Sequence, residues 1–215
     1  MVFKKSGRYS VPSDEDYEPG SNDEVLKNFL NIHSKEIMSE IEQRELGRTE
    51  LELFQIYDAD HQFTVEDICN IHELWLGDIY PMAGKYRTVN MDKDGFPFAA
   101  SAQIEKLMIQ FERNYLQQYT PCHFNDLDQL ANALGTVHVE LIIIHPFREG
   151  NGRTARLLAD LMAVQANKPP LNYALIDQVE NKQGFAEYIM AIHAGVRRDY
   201  SLIRNIFVTL LQQSV

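Results

Sequence analysis

Three things are scarce in this sequence, and each scarcity removes a class of protein. Cysteine occurs twice in 215 residues, at Cys69 and Cys122. Two thiols so far apart give neither a disulfide framework nor metal-ligand spacing, and free thiols suit a reducing, cytoplasmic setting. Long apolar runs are lacking: no stretch reaches the roughly 18 apolar residues that a membrane span needs. The opening residues Met1 to Arg8 carry no apolar signal core, so neither a membrane partner nor signal-peptide export is expected. Basic charge is in deficit, with 20 Lys and Arg against 31 Asp and Glu and a net charge of −11. Such a chain does not hold nucleic acid by bulk charge. A local cationic site for one phosphorylated ligand is still compatible with that sum.

The apolar fraction of 45% is ordinary, and at this length it can bury a core without staples. Residues 1–22, rich in Ser, Pro, Gly, Asp, Glu and Tyr, read as an extended arm, and residues 23–215 as a single domain. A helical period begins at Asp23, with Val25, Leu26, Phe29 and Leu30 on one face, and continues from Lys35 to Glu52 with breaks near Gly47. Thr64 followed by Asp67 predicts a capping box opening a helix whose Ile68, Ile71, Leu74 and Trp75 share a face. Gly84 to Met91 alternates and is rich in strand formers. Asp94-Gly95 follows as a turn, and Phe96-Pro97-Phe98 as an edge strand. Helical spacing returns at Ile104, Leu107, Met108, Phe111 and Tyr115. Further helices are predicted over 126–143, 152–167, 181–195 and 200–213. The first of these ends in Leu141 to Ile144, which is apolar all round and therefore central. The expected fold class is mainly α: a helical bundle with one β-hairpin flap.

One stretch carries chemistry: His145-Pro146-Phe147-Arg148-Glu149-Gly150-Asn151-Gly152-Arg153-Thr154-Ala155-Arg156. Pro146 disfavours helix at His145, so a buried helix stops there and another starts near Gly152. Gly150 and Gly152 let backbone amides converge on an anion, and the helix start adds partial positive charge. Arg153 and Arg156, three apart, project from the same side of that first turn. Glu149 supplies a hard oxygen of the kind Mg²⁺ takes beside phosphates. His145 can take a proton near neutral pH. Taken singly, each residue is ordinary: a capping histidine, surface charges, a Gly-Asn-Gly turn. Their joint occurrence within twelve residues, between two apolar helices, reads as a phosphate-handling site.

This stretch resembles the Fic family (filamentation induced by cAMP), whose pattern His-x-Phe-x-(Asp/Glu)-Gly-Asn-Gly-Arg-x-x-Arg is met at every fixed position. The resemblance extends over roughly 23–212. It implies a Fic-type helical bundle that transfers AMP from ATP to a Tyr, Thr or Ser hydroxyl of a target protein. His145 would be the base and Glu149 the Mg²⁺ ligand. Gly150, Asn151 and Gly152 would cradle phosphates, and Arg153 and Arg156 would bind the outer phosphates. Phe147 would anchor the loop in the core, and Tyr188 would lie against the adenine. The flap, with Thr88, Val89, Asn90, Met91, Gly95 and Phe96, would dock the target segment by strand addition. Transfer of another phosphorylated group, removal of AMP, and a non-catalytic nucleotide-binding adaptor are the alternatives.

The resemblance also bears on partners. The family's inhibitory pattern, Ser/Thr-x-x-x-Glu-Gly/Asn, is not met. Ser101 to Glu105 and Thr136 to Glu140 fit five positions, but Lys106 and Leu141 follow. The expectation is that Arg156 is restrained by a separate small antitoxin-like protein in a bacterial cytoplasm, or is unrestrained. A second copy of the chain is another candidate partner. Tyr9, Tyr17 and Tyr86 are available for the family's self-modification, and nothing in the sequence selects one.

Overall fold

The computed structural model describes residues 16–214 in full and the backbone of 4–6 and 9–11; the rest of the expected 1–22 arm, with Val215, lies outside the described residues. Strands β1 (Lys4–Ser6) and β2 (Tyr9–Val11) pair antiparallel, with Ser6 opposite Tyr9.

Helix α1 (Lys35–Ile56) begins where the Ser34 hydroxyl accepts the Ile37 amide. The helical period read from Asp23 forms no helix there; residues 23–34 are turn and extended chain. Asn28 gives the reason. Its side-chain oxygen accepts from the amides of Leu30 and Ile32, and its NH₂ donates to the carbonyls of Leu26 and Ile32. A side chain that caps its own neighbours outcompetes a helix. Val25 and Leu26 are buried all the same, while Phe29 is 61% exposed. Helix α1 runs through Gly47 without a break. A Cβ there would meet open space, so that glycine costs only helix propensity.

Helix α2 (Val65–Leu76) opens on a complete capping box: the Thr64 hydroxyl accepts the Asp67 amide and the Asp67 carboxylate accepts the Thr64 amide. Thr64→Ala is expected to cost about 1 kcal/mol. Urea unfolding measures it, and an unchanged midpoint would place the helix start under tertiary control instead.

Strands β3 (Asp92–Lys93) and β4 (Phe96–Pro97) form the flap hairpin around Asp94-Gly95, both with positive φ (52° and 84°), as a two-residue hairpin turn requires. Ser10 pairs with Asp92, so the sheet order is β1-β2-β3-β4 and β4 lies at its edge. The strand expected over Gly84 to Met91 does not form; those residues follow an irregular path to β3. Arg87 accounts for this. Its amide donates to the carbonyl of Pro146, and its buried guanidinium donates to the carbonyls of His145, Ile144, Val89 and Ala99. One side chain supplies the donors that a neighbouring strand would have supplied.

The chain continues through α3 (Ile104–Phe111), a π-turn over Glu112–Leu116, and α4 (Gln117–Tyr119). Helix α5 (Leu127–Ile144), capped by Asp126, is the centre of the fold. Helices α6 (Asn151–Gln165), α7 (Lys182–Gly195) and α8 (Ser201–Gln213) pack around it. Helix α5 is long and apolar enough to cross a membrane. Two thirds of it (67%) is buried inside the protein, which is how a core helix passes that test. A second apolar cluster, formed by Tyr17, Val25, Leu26, Met38, Trp75, Leu76, Ile79 and Tyr80 among others, lies between α1 and α2. Trp75 and Leu76 of this cluster touch the loop between α5 and α6, so that loop is supported from both cores.

Candidate active site

His145 is the C-cap of α5, in the left-handed conformation (φ 53°, ψ 60°) that lets the chain leave the helix into Pro146. Its Nδ1 donates to the carbonyl of Ile142 at 3.1 Å, which places the lone pair on Nε2. The Phe98 ring stacks on the imidazole at 3.6 Å with an interplanar angle of 11°. Burial holds the His145 pKa far below its ordinary value, at about 3. The ring is therefore neutral at physiological pH, as a proton acceptor must be.

The loop after His145 is fixed from within. The Asn151 side chain is fully occupied by Phe147: its oxygen accepts the Phe147 amide at 2.8 Å and its NH₂ donates to the Phe147 carbonyl at 2.7 Å. Asn151 thus shapes the loop and does not line the cavity described below. Phe147 is fully buried and stacks on His72 at 3.9 Å. His72 accepts the Gly84 amide at Nδ1 and donates from Nε2 to the Glu149 carbonyl at 3.0 Å. Burial keeps it neutral, with a pKa of about 4. Gly150 has φ 80°, and a Cβ there would sit 2.7 Å from Trp75 Cζ3, so both conformation and space require glycine.

The two motif arginines are held differently. Arg153 donates to Glu42 Oε2 at 2.8 Å and to Glu149 Oε1 at 3.3 Å, and lies over the Trp75 ring at 4.4 Å. Arg156 rests over the Tyr173 ring at 4.9 Å, and among the described residues no carboxylate is in ion-pair contact with it. The Tyr173 hydroxyl bonds Asp160 Oδ1 at 3.0 Å. Burial raises the Asp160 carboxyl to a pKa of about 7. Arg148 does not join the other two arginines. It is buried on the opposite side of the loop, paired with Asp16 at 3.0 Å and packed over Tyr17. Of the three arginines in this stretch, only Arg153 and Arg156 line the larger cavity.

A cavity of about 790 Å³ brings together His145, Gly150, Gly152, Arg153, Arg156 and Tyr188, with Phe96, Phe98 and Lys93 from the flap. Its lining also includes the apolar side chains of Leu157, Phe185, Ile189 and Ile192. The Tyr188 hydroxyl is held by Nε2 of the buried, neutral His138 at 2.9 Å. Of the other flap residues singled out in the sequence, Thr88, Val89, Asn90, Met91 and Gly95 do not line it. Met91 is buried in the second core, and Asn90 caps the Ser101 amide. Glu149 faces a smaller neighbouring pocket with Glu42, Tyr80 and Arg148, and its Oε1 accepts the Gly150 amide at 2.9 Å. Among the described residues no three carboxylate, His or Cys groups converge as a cation cage. Glu149 offers an oxygen ligand of the kind Mg²⁺ takes, on this smaller pocket and not in the lining of the larger cavity. Tyr17 is buried and Tyr86 half-buried against Phe147; the Tyr9 side chain lies outside the described residues.

Sequence reasoning missed Glu42, Arg87, Phe98, Asp160 and Tyr173. Phe98 had a signal, as an aromatic beside an edge strand. Glu42 had none, being one of six glutamates in α1.

Residues 62–163 match the Fic/DOC family. The chain is 32% identical over 144 residues to "Protein adenylyltransferase Fic" of Nematostella vectensis, covering 66% of this chain and 32% of that protein. It is 34% identical over 153 residues to protein adenylyltransferase VbhT of Bartonella schoenbuchensis, covering 64% and 30%. The chain spans about a third of the length of these curated relatives. Among solved structures, the FIC domain of Bep8 from Bartonella sp. 1-1C superposes with a TM-score of 0.75 at 17% identity, covering 93% of this chain and 95% of that one. BepC from Bartonella tribocorum, crystallised with bound AMPPNP, superposes with a TM-score of 0.69 at 20% identity, covering 86% and 91%.

Proposed function

Because residues 62–163 match the Fic/DOC family, we propose that the chain transfers AMP from ATP to a hydroxyl of a target protein. The observation that carries this reading is a buried, neutral histidine on the wall of the cavity that also holds two motif arginines and a glycine-rich helix start. In the reaction the acceptor oxygen attacks the α-phosphorus, the bond between that phosphorus and the bridging oxygen breaks, and pyrophosphate leaves. The acceptor proton passes to His145 Nε2. The amides at the start of α6, with Gly150 and Gly152, receive phosphate oxygens, and Arg153 and Arg156 hold the outer phosphates. The apolar side chains of the lining, with Tyr188, receive the base. Asn151 holds the loop in shape. Mg²⁺, held by Glu149 together with the phosphates, would neutralise charge that builds on the leaving pyrophosphate. The negative charge of a bound triphosphate favours the imidazolium, so His145 becomes a stronger base once nucleotide is in place.

The target segment would add to the sheet at β4, because β3 is already paired with β2. Phe96 and Phe98 would then sit between target and base. Arg156, resting on Tyr173, is the arginine that a carboxylate of a small antitoxin-like partner would reach. A bacterial cytoplasm, where the two free cysteines stay reduced, is the setting that suits this reading.

Incubating the chain with a cell lysate and ATP labelled at the α-phosphate tests the proposal. Label should enter protein from α-labelled but not γ-labelled ATP. Label from the γ position alone would assign a kinase and overturn the reading.

A further inference from the structure

We infer that Tyr173, outside the motif, is a positioning residue for Arg156: pinned against α6, its ring holds that guanidinium at the cavity wall, ready for an outer phosphate of the nucleotide. The inference rests on the assignment of Arg156 to the outer phosphates under the proposed function.

Arg153 and Arg156 both line the cavity but are held by different means. Arg153 commits Nη1 to Glu42 and Nη2 to Glu149. Arg156 lies over the Tyr173 ring at 4.9 Å, and among the described residues no carboxylate is in ion-pair contact with it. The ring itself is anchored. The Tyr173 hydroxyl reaches the Arg156 carbonyl at 3.1 Å and Asp160 Oδ1 at 3.0 Å, groups one helical turn apart on α6. Its single proton serves one acceptor at a time, and either bond keeps the ring against the same turn. Asp160 is 5% exposed, and its Oδ1 also accepts the Leu171 amide at 2.9 Å. The chain is therefore tied to α6 two residues before the ring, where it enters the 3₁₀ turn Tyr173–Ile176. The choice of an aromatic partner has a chemical consequence. A ring face attracts a guanidinium without taking up any of its five N–H donors, whereas a carboxylate takes up donors and offsets the charge. The contact also restricts a long side chain before the ligand arrives, which lowers the ordering cost of binding. Arg156 is in this way oriented while its charge and its donors stay available to phosphate.

The competing reading is a plain structural tie between residues 171–176 and α6. The two separate by ligand, because AMP carries no outer phosphate. Equilibrium binding of AMP and of a non-hydrolysable ATP analogue to the full chain is measured in one buffer, with unfolding midpoints on the same samples. Tyr173→Leu should weaken binding of the analogue by about fivefold, the size of a cation–ring contact at a partly exposed site, and change AMP binding less than twofold. Tyr173→Phe keeps the ring and should recover most of that loss. In an Arg156→Ala background Tyr173→Leu should add no further loss, since its effect runs through the arginine. If Tyr173→Leu weakens both ligands equally, or weakens the analogue as much without Arg156 as with it, the residue is only a tie and the inference falls. If Arg156→Ala itself leaves the preference for the analogue over AMP unchanged, the phosphate assignment of Arg156 fails and the inference with it, while AMP transfer is decided separately by the labelling experiment.

Discussion

Replacing His145 by alanine is expected to lower the rate of AMP transfer by about 10²–10⁴, the usual contribution of a positioned general base, while nucleotide still binds. The separation follows from position. His145 lies at the C-cap of α5 under Phe98, whereas the groups assigned to phosphate start one residue before α6. Single-turnover transfer and equilibrium nucleotide binding, measured on the same preparation, distinguish loss of the base from loss of the site. The pH dependence carries a second signature. In the nucleotide-free protein burial depresses the His145 pKa to about 3, so the neutral form dominates at every pH above that value. The free-enzyme parameter kcat/KM should therefore show no inflection from His145 near the ordinary histidine value of about 6.5, and an inflection near 7 that survives in His145→Ala belongs to Asp160 on the cavity wall. An inflection near 6.5 that disappears in His145→Ala would mean that the ring is solvated before nucleotide arrives and that the Phe98 stack does not persist in solution.

The two motif glycines should fail in opposite ways. Gly150→Ala is expected to destabilise the fold by about 2–5 kcal/mol, combining a left-handed backbone cost of about 1–2 kcal/mol with the overpacking of a full core. The added methyl would meet Trp75 at 2.7 Å and Leu76 at 3.3 Å, and neither can withdraw from beneath the loop without disturbing the second core. Gly152→Ala meets nothing within 4 Å, and its residue already lies in helix α6. Its stability should be unchanged or higher by at most about 1 kcal/mol. The same methyl would stand at the wall of the nucleotide cavity and raise the KM for ATP. Chemical denaturation and steady-state kinetics on both variants make the contrast measurable. Equal destabilisation by the two substitutions would contradict the loop conformation described above.

Much of the helical scaffold was legible because caps and periodicity agree with tertiary packing. Thr64 and Asp67 formed their box, and the helices from 126 onward fall within one or two residues of the sequence reading. The failures have a common cause: side chains that bond backbone at a distance or out of period. Asn28 converts an apparent amphipathic helix into a turn, and Arg87 replaces a strand partner over 84–91. Periodicity registers burial, not hydrogen-bond destination. The same limit applies in the site. The motif gave the residues between His145 and Arg156, which are contiguous in sequence. Glu42 and Tyr173 reach the two arginines from other elements, and no local spacing announces them. Arg148 shows the converse: a neighbour in sequence of the motif arginines, it pairs with Asp16 instead of joining them at the cavity.

The tie made by Arg87 sets how the flap can move. Its guanidinium grips the backbone at Val89 and Ala99, the two roots of the hairpin, and at His145 in the catalytic loop. The Ala99 amide adds a bond to the carbonyl of Ile143. Roots and catalytic loop therefore form one body, and any hinge is confined to the few residues between them. Phe98 sits at the hinge itself, so its ring can stay over the imidazole while the Asp94-Gly95 turn swings. Under the proposed function, capture of a target at the flap would be mechanically separated from the alignment of His145, which Arg87 holds through the backbone.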